Sequence, residues 1–87
     1  MIELKDAKKK AKTYYTAFPL CDTTIDIGDA WVFSYDTGNL PIPGVPSIMI
    51  QKQTGHISMT PTPATESNID KLEEFFQRLD AGIVIQI

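Results

Sequence analysis

The stretch Trp31-Val32-Phe33-Ser34-Tyr35 constrains this chain more than any other, because it sets three aromatic side chains at alternate positions. A period of two is the pattern of a strand, so Trp31, Phe33 and Tyr35 share one face. Each aromatic removes roughly 150 to 250 Å² from water when buried. In a chain of 87 residues with one Trp, three Tyr and four Phe, that face is the natural centre of the core. Its other use, as an exposed recognition stripe, would require large side chains elsewhere to fill the interior, and the chain has few to offer.

The segments around this stripe read as alternating helix and strand signals. Leu4, Ala7, Ala11, Tyr14, Tyr15 and Phe18 recur at steps of three and four, which predicts an amphipathic helix over residues 3–17 that ends before Pro19. Ile25 and Ile27, the Gly28-Asp29 turn signal and the aromatic stripe together predict a hairpin. Residues 36–46 hold Gly38-Asn39 and Pro41, Pro43 and Pro46, and so form a loop of defined shape. Such a loop serves either as a presenting surface or as a stiff connector. Ser47 to Gln53 and His56 to Thr60 are expected to pair across a tight turn at Thr54-Gly55, the glycine supplying a positive φ.

A second helix follows, capped by Ser67 with Asp70 or one turn earlier by Thr65, with Ile69, Leu72, Phe76 and Leu79 as its apolar stripe and Gly82 as its stop. Ile83-Val84-Ile85-Gln86-Ile87 is short and β-branched, the composition of a strand. Left exposed it would invite aggregation, so it is expected to pair within the sheet or in a homodimer contact. The fold class is therefore α+β: one domain over residues 1–87, an antiparallel sheet, and an N-terminal and a C-terminal helix packed on one face, in the order α-β-β-β-β-α-β.

Composition narrows the function classes. Hydrophobic residues make up 43% and charged residues 22%, values that suit a folded domain and exclude a wholly disordered chain. No apolar run approaches the roughly 20 residues that cross a bilayer, and the first residues lack the apolar stretch of a signal peptide. A cytoplasmic protein without a membrane partner is the expectation. The lone cysteine, Cys21, cannot form an internal disulfide, in keeping with a reducing compartment. Residues 1–17 carry a balance of +3 and residues 18–87 a balance of −6. One lysine-rich helix face on an acidic protein is a poor nucleic-acid binder, since affinity there comes from displacing counterions along several phosphates. An acidic remainder suits a basic protein partner.

Groups able to do chemistry are sparse. His56 is the only histidine and reads as a strand residue just past a turn; a metal site would need further ligands. Cys21 with His56 would need a fold that brings them together and a third group to orient them. Asp22, Asp26 and Asp29 lack the glycine-containing spacing of a calcium loop, and the five glycines are isolated rather than gathered into a phosphate loop. The expectation is a non-enzyme with no catalytic residue, metal or cofactor.

The aromatic strand, followed by Gly44-x-Pro46-x-Ile48-x-Ile50-x-Lys52-x-Thr54-Gly55-x-Ile57, resembles the YrhB-like immunity-protein family of bacteria. The early helix with Ala7, Ala11 and Tyr14 and the closing helix introduced by Thr65-Glu66 extend the resemblance over most of the chain. Gln51 departs from the acid expected before Lys52, the segment ending at Pro46 is richer in proline than usual, and the strand at residues 83–87 has no clear counterpart. The resemblance implies a small cytoplasmic protein that neutralises a cognate protein toxin by stoichiometric binding. The other reading is a chaperone-like or accessory protein that binds apolar segments through a strand edge. From charge and expected exposure, the partner-binding candidates are Asp22, Asp26, Asp29, Asp36, Asn39 and Ile42.

Overall fold

The computed structural model describes residues 1–38, 47–61 and 68–87. Asn39 and Ile42, the three prolines of the loop, and the proposed caps Thr65 and Ser67 lie outside the described residues. The chain runs α1 (Leu4–Tyr14), β1 (Leu20–Asp26), β2 (Ala30–Tyr35), β3 (Ile48–Gln51), β4 (Ile57–Met59), α2 (Ile69–Ala81) and β5 (Ile83–Gln86), the expected order. The strands form one antiparallel sheet in the order β4-β3-β2-β1-β5. By this alternation β4 and β5 point the same way at opposite edges, so α2 has to cross the sheet between them.

The aromatic stripe is core. Trp31 and Tyr35 are 6% exposed and Phe33 is fully buried. Register places Ile50 opposite Trp31 and Ile48 opposite Phe33, which builds a continuous apolar face. Onto it α1 sets Ala7 and Ala11, both fully buried. These small side chains let the helix backbone approach the aromatics closely. The Tyr35 hydroxyl donates to the Ala11 carbonyl at 2.6 Å, satisfying a buried polar group on the last turn of the helix.

The two helices do not share a face, which corrects the expectation. Strand alternation puts Val32 and its partner Ile25 on the side of the sheet opposite Trp31, and there they line one crevice with Phe75 and Leu79 of α2. The reason is topological. With α1 already covering the aromatic face, the crossing from the β4 edge to the β5 edge uses the free face. Strand β2 is consequently buried on both sides, with only Ser34 exposed.

Four local expectations also change. Helix α1 stops at Tyr14 because Tyr15 turns extended, and its ring packs 4.9 Å from that of Tyr35. The buried residues of α2 are Leu72 and Phe75, with Ile69 and Phe76 turned outward at 68% and 46% exposure. Asn68 caps this helix, its side chain accepting from the N–H groups of Asp70 and Lys71. Between β3 and β4 the chain makes a four-residue loop, since Gln51 and His56 still bond across it and Gly55 N–H donates to the Gln51 carbonyl. Gly55 has the expected positive φ of 73°, whereas Gly82 is extended at φ −69°. What Gly82 supplies is space: a Cβ there would meet Ile25 Cγ2 at 2.5 Å.

Candidate partner-binding surface

The four acids proposed as contacts that the structure describes divide between the two ends of the β1–β2 hairpin. Asp26 and Asp29 sit at its turn. Asp22 and Asp36 sit at its other end, where β1 begins and β2 finishes. Four residues of strand separate Asp22 from Asp26, roughly 13 Å.

At the turn the charges are internally matched. Lys52 Nζ donates to both carboxylate oxygens of Asp26, at 2.7 and 2.8 Å, and lies 5.2 Å from the centroid of the Trp31 ring. The pair is largely withdrawn from water, with side-chain exposures of 16% for Lys52 and 24% for Asp26. Hydrogen bonds from Lys52 and then from the Gly28 N–H hold the Asp26 carboxyl below its ordinary value of 3.8. Asp29 receives the Arg78 guanidinium from α2, and its carbonyl accepts from the Lys52 N–H at 3.0 Å. Two acids and two bases thus tie the hairpin turn to the β3–β4 loop and to α2. Asp26 and Asp29 are fasteners in this arrangement, with little free charge left to offer.

The other end is different. Asp22 and Asp36 are exposed, and neither takes part in an ion pair among the described residues. Asp36 Oδ1 accepts from the Gly38 N–H at 2.8 Å, and the Asp36 N–H donates to the Pro19 carbonyl at 2.7 Å, fixing where the carboxylate stands. Cys21 lies between the two acids. Partial burial first, then the charges of Asp36 and Asp22, push its thiol above the usual range, so at neutral pH it is a protonated thiol and a weak nucleophile. From here the chain enters residues 39–46, which contain Asn39 and Ile42.

A surface of opposite sign lies along α1. Ile2, Tyr14 and Ile57 floor a shallow groove of about 580 Å³, edged by Lys9, Lys10, Asp6 and Thr13. Lys10 lies across the β3–β4 loop, where a Cβ on Gly55 would stand 3.2 Å from its Cε. Sequence reasoning did not mark this groove. The one available signal was Tyr14, whose place at the end of the α1 stripe falls beyond the reach of the sheet and leaves it 47% exposed.

The cysteine–histidine pair does not form. Cys21 is at the open end of β1, while His56 belongs to the β3–β4 loop, whose Lys52 reaches Asp26 at the far end of the same strand. No cluster of three or more His, Cys, Asp or Glu side chains suited to a metal occurs among the described residues. Likewise none of the described helices is long and apolar enough to cross a membrane. Trp31 and Tyr35, the aromatic side chains best suited to anchor a partner, are committed to the core. No family model, curated protein or solved structure matches the chain.

Proposed function

We propose that this chain is a non-catalytic binding protein that neutralises a cognate protein toxin by stoichiometric occlusion, with the open acidic end of the β1–β2 hairpin as its contact. The observation that carries this reading is the pair Asp22 and Asp36, which make no ion pair among the described residues: the Asp22 carbonyl accepts from the Ile87 N–H, the Asp36 N–H donates to the Pro19 carbonyl, and the Asp36 carboxylate accepts from the Gly38 N–H beside the entry to residues 39–46. Exposed carboxylates on a rigid mount favour a basic partner and speed encounter through a complementary field. The toxin as partner follows from the sequence resemblance; the exposure of Asp22 and Asp36 supports the choice of this end and of a basic partner. A stable complex of this kind buries about 1,200 to 2,000 Å² in total.

The test is purification of the tagged protein from its source cells at low and moderate salt, beside an Asp22→Lys, Asp36→Lys double variant. The expected result is one dominant partner at 1:1 stoichiometry, retained at least about tenfold less by the variant. No stoichiometric partner, or equal retention by both proteins, would overturn the reading. The accessory-protein alternative is favoured by one observation, the exposure of Ile83 and Val84 at 68% and 66% on an edge strand. It requires a broad set of weakly bound apolar clients whose capture is insensitive to Asp22 and Asp36.

A further inference from the structure

The two edges of the sheet are guarded very differently. On one side β4 is only three residues long and is closely followed by Pro61, so it offers little to a neighbouring strand. On the other side β5 pairs with β1 in register from Ile83↔Asp26 to Gln86↔Thr23 without a bulge, and it carries no charge and no proline. The usual devices that blunt an edge, lysine, proline, a bulge or an inward charge, are missing from this strand.

Hydrogen-bond parity determines what the free edge presents. The Ile87 N–H donates to the Asp22 carbonyl at 2.7 Å, so in this antiparallel ladder the odd-numbered residues direct their backbone groups towards β1. The N–H and C=O groups of Val84 and Gln86 therefore point outward. Side chains alternate across the sheet, with Ile83 and Ile85 on the α1 face and Val84 on the α2 face. Ile83 and Val84 are 68% and 66% exposed.

From these constraints we infer that the outer edge of β5 pairs antiparallel with β5 of a second copy, with Val84 on the two-fold axis, to make a continuous ten-stranded sheet. A two-fold perpendicular to the sheet keeps the faces aligned, which requires residues of the same parity to stand opposite each other. Centring on Val84 meets that rule and the hydrogen-bond rule together. Val84 then exchanges N–H···O=C bonds with its own copy, and the Gln86 N–H reaches the Gly82 carbonyl of the other chain. Each exposed apolar side chain gains an apolar neighbour: Val84 faces Val84 on the α2 face, and Ile83 faces Ile85 on the α1 face. Charge favours the same occupant. A chain of net charge −3 repels its copies generally, yet residues 81–87 bear no charged side chain, so two copies can meet along this strip without like-charged side chains in contact.

The test is the mass in solution, followed by sedimentation from low to high micromolar concentration. The wild type is expected to reach about twice the monomer's 9.7 kDa. Val84→Lys sets two ammonium groups across the axis and is expected to weaken association about a hundredfold or more, with the monomer fold retained because the site is exposed. A second variant, Val84→Cys in a Cys21→Ser background, is expected to cross-link on mild oxidation, since facing hydrogen-bonded residues have Cα atoms about 5.5 Å apart, within disulfide reach. Gln86→Cys in the same background stands opposite Gly82 and is expected to cross-link poorly. A wild type that stays monomeric throughout would overturn the inference. So would a dimer that Val84→Lys leaves intact, or a β5 edge occupied only by strands of other proteins.

Discussion

The two ends of the β1–β2 hairpin hold acids of the same kind and put them to opposite uses. At the turn, Asp26 and Asp29 meet Lys52 and Arg78 and fasten three parts of the fold together. At the open end, Asp22 and Asp36 are exposed and make no ion pair among the described residues. A carboxylate spent on an internal ion pair stabilises the fold and is withdrawn from recognition; one left uncompensated contributes little to folding and remains free for a partner. Sequence position alone does not separate the two classes, since all four acids fall near strand ends.

The largest effect is expected at Trp31, whose ring lies beneath the Lys52 ammonium. Trp31→Ala removes a buried aromatic and is expected to cost about 3 to 5 kcal/mol, read as a fall in the urea midpoint. Next in size is Lys52→Met, which leaves the Asp26 carboxylate largely buried without its cation, at a cost of about 1.5 to 3 kcal/mol by the same measurement. An effect as small as that of an exposed ion pair would show that Asp26 is not a fastener.

The pH dependence sharpens the same point. Because the folded state holds the Asp26 carboxyl below its ordinary value of 3.8, the stabilisation it brings is fully present above that value. It is lost as the pH falls through the lower, folded value. The stability difference between wild type and Asp26→Asn should therefore be constant from pH 7 to pH 5 and shrink below pH 3.8, when both proteins are followed by denaturant titration. Asp29→Asn should cost under about 1 kcal/mol, since its partnership with Arg78 is more exposed. Smallest of all, Asp22→Asn is expected to change stability by no more than about 0.5 kcal/mol.

Much of the fold was legible because it depends on local periodicity. The alternation of Trp31, Phe33 and Tyr35 placed the core, and the order of all seven elements follows from signals within each segment. The disposition of the helices was not legible, because it depends on which face remains free once α1 is seated. Leu72 belongs to the buried face of α2 as expected, but the buried phenylalanine beside it is Phe75 and not Phe76: adjacent phenylalanines fit a helical stripe equally well, and only burial in the fold separates them, at 6% and 46% exposure. Gly82 ends α2 as expected, its N–H donating to the Leu79 carbonyl, but the space it supplies was not legible because that need comes from the approach of Ile25, more than fifty positions away in sequence. The candidate site had the same limit. Asp26 and Asp29 looked like surface acids because their partners, Lys52 and Arg78, are joined to them only by the fold.

The proposed function puts stability and recognition at opposite ends of one hairpin. Its most direct test is titration calorimetry of the purified partner against three proteins, the wild type, Asp22→Lys with Asp36→Lys, and Asp26→Asn, each with its urea midpoint determined alongside. The open-end variant is expected to lose binding with its midpoint nearly unchanged, and Asp26→Asn to bind as the wild type does with a lowered midpoint. Undiminished binding by the open-end variant, or loss of binding by Asp26→Asn while it remains folded, would contradict that placement.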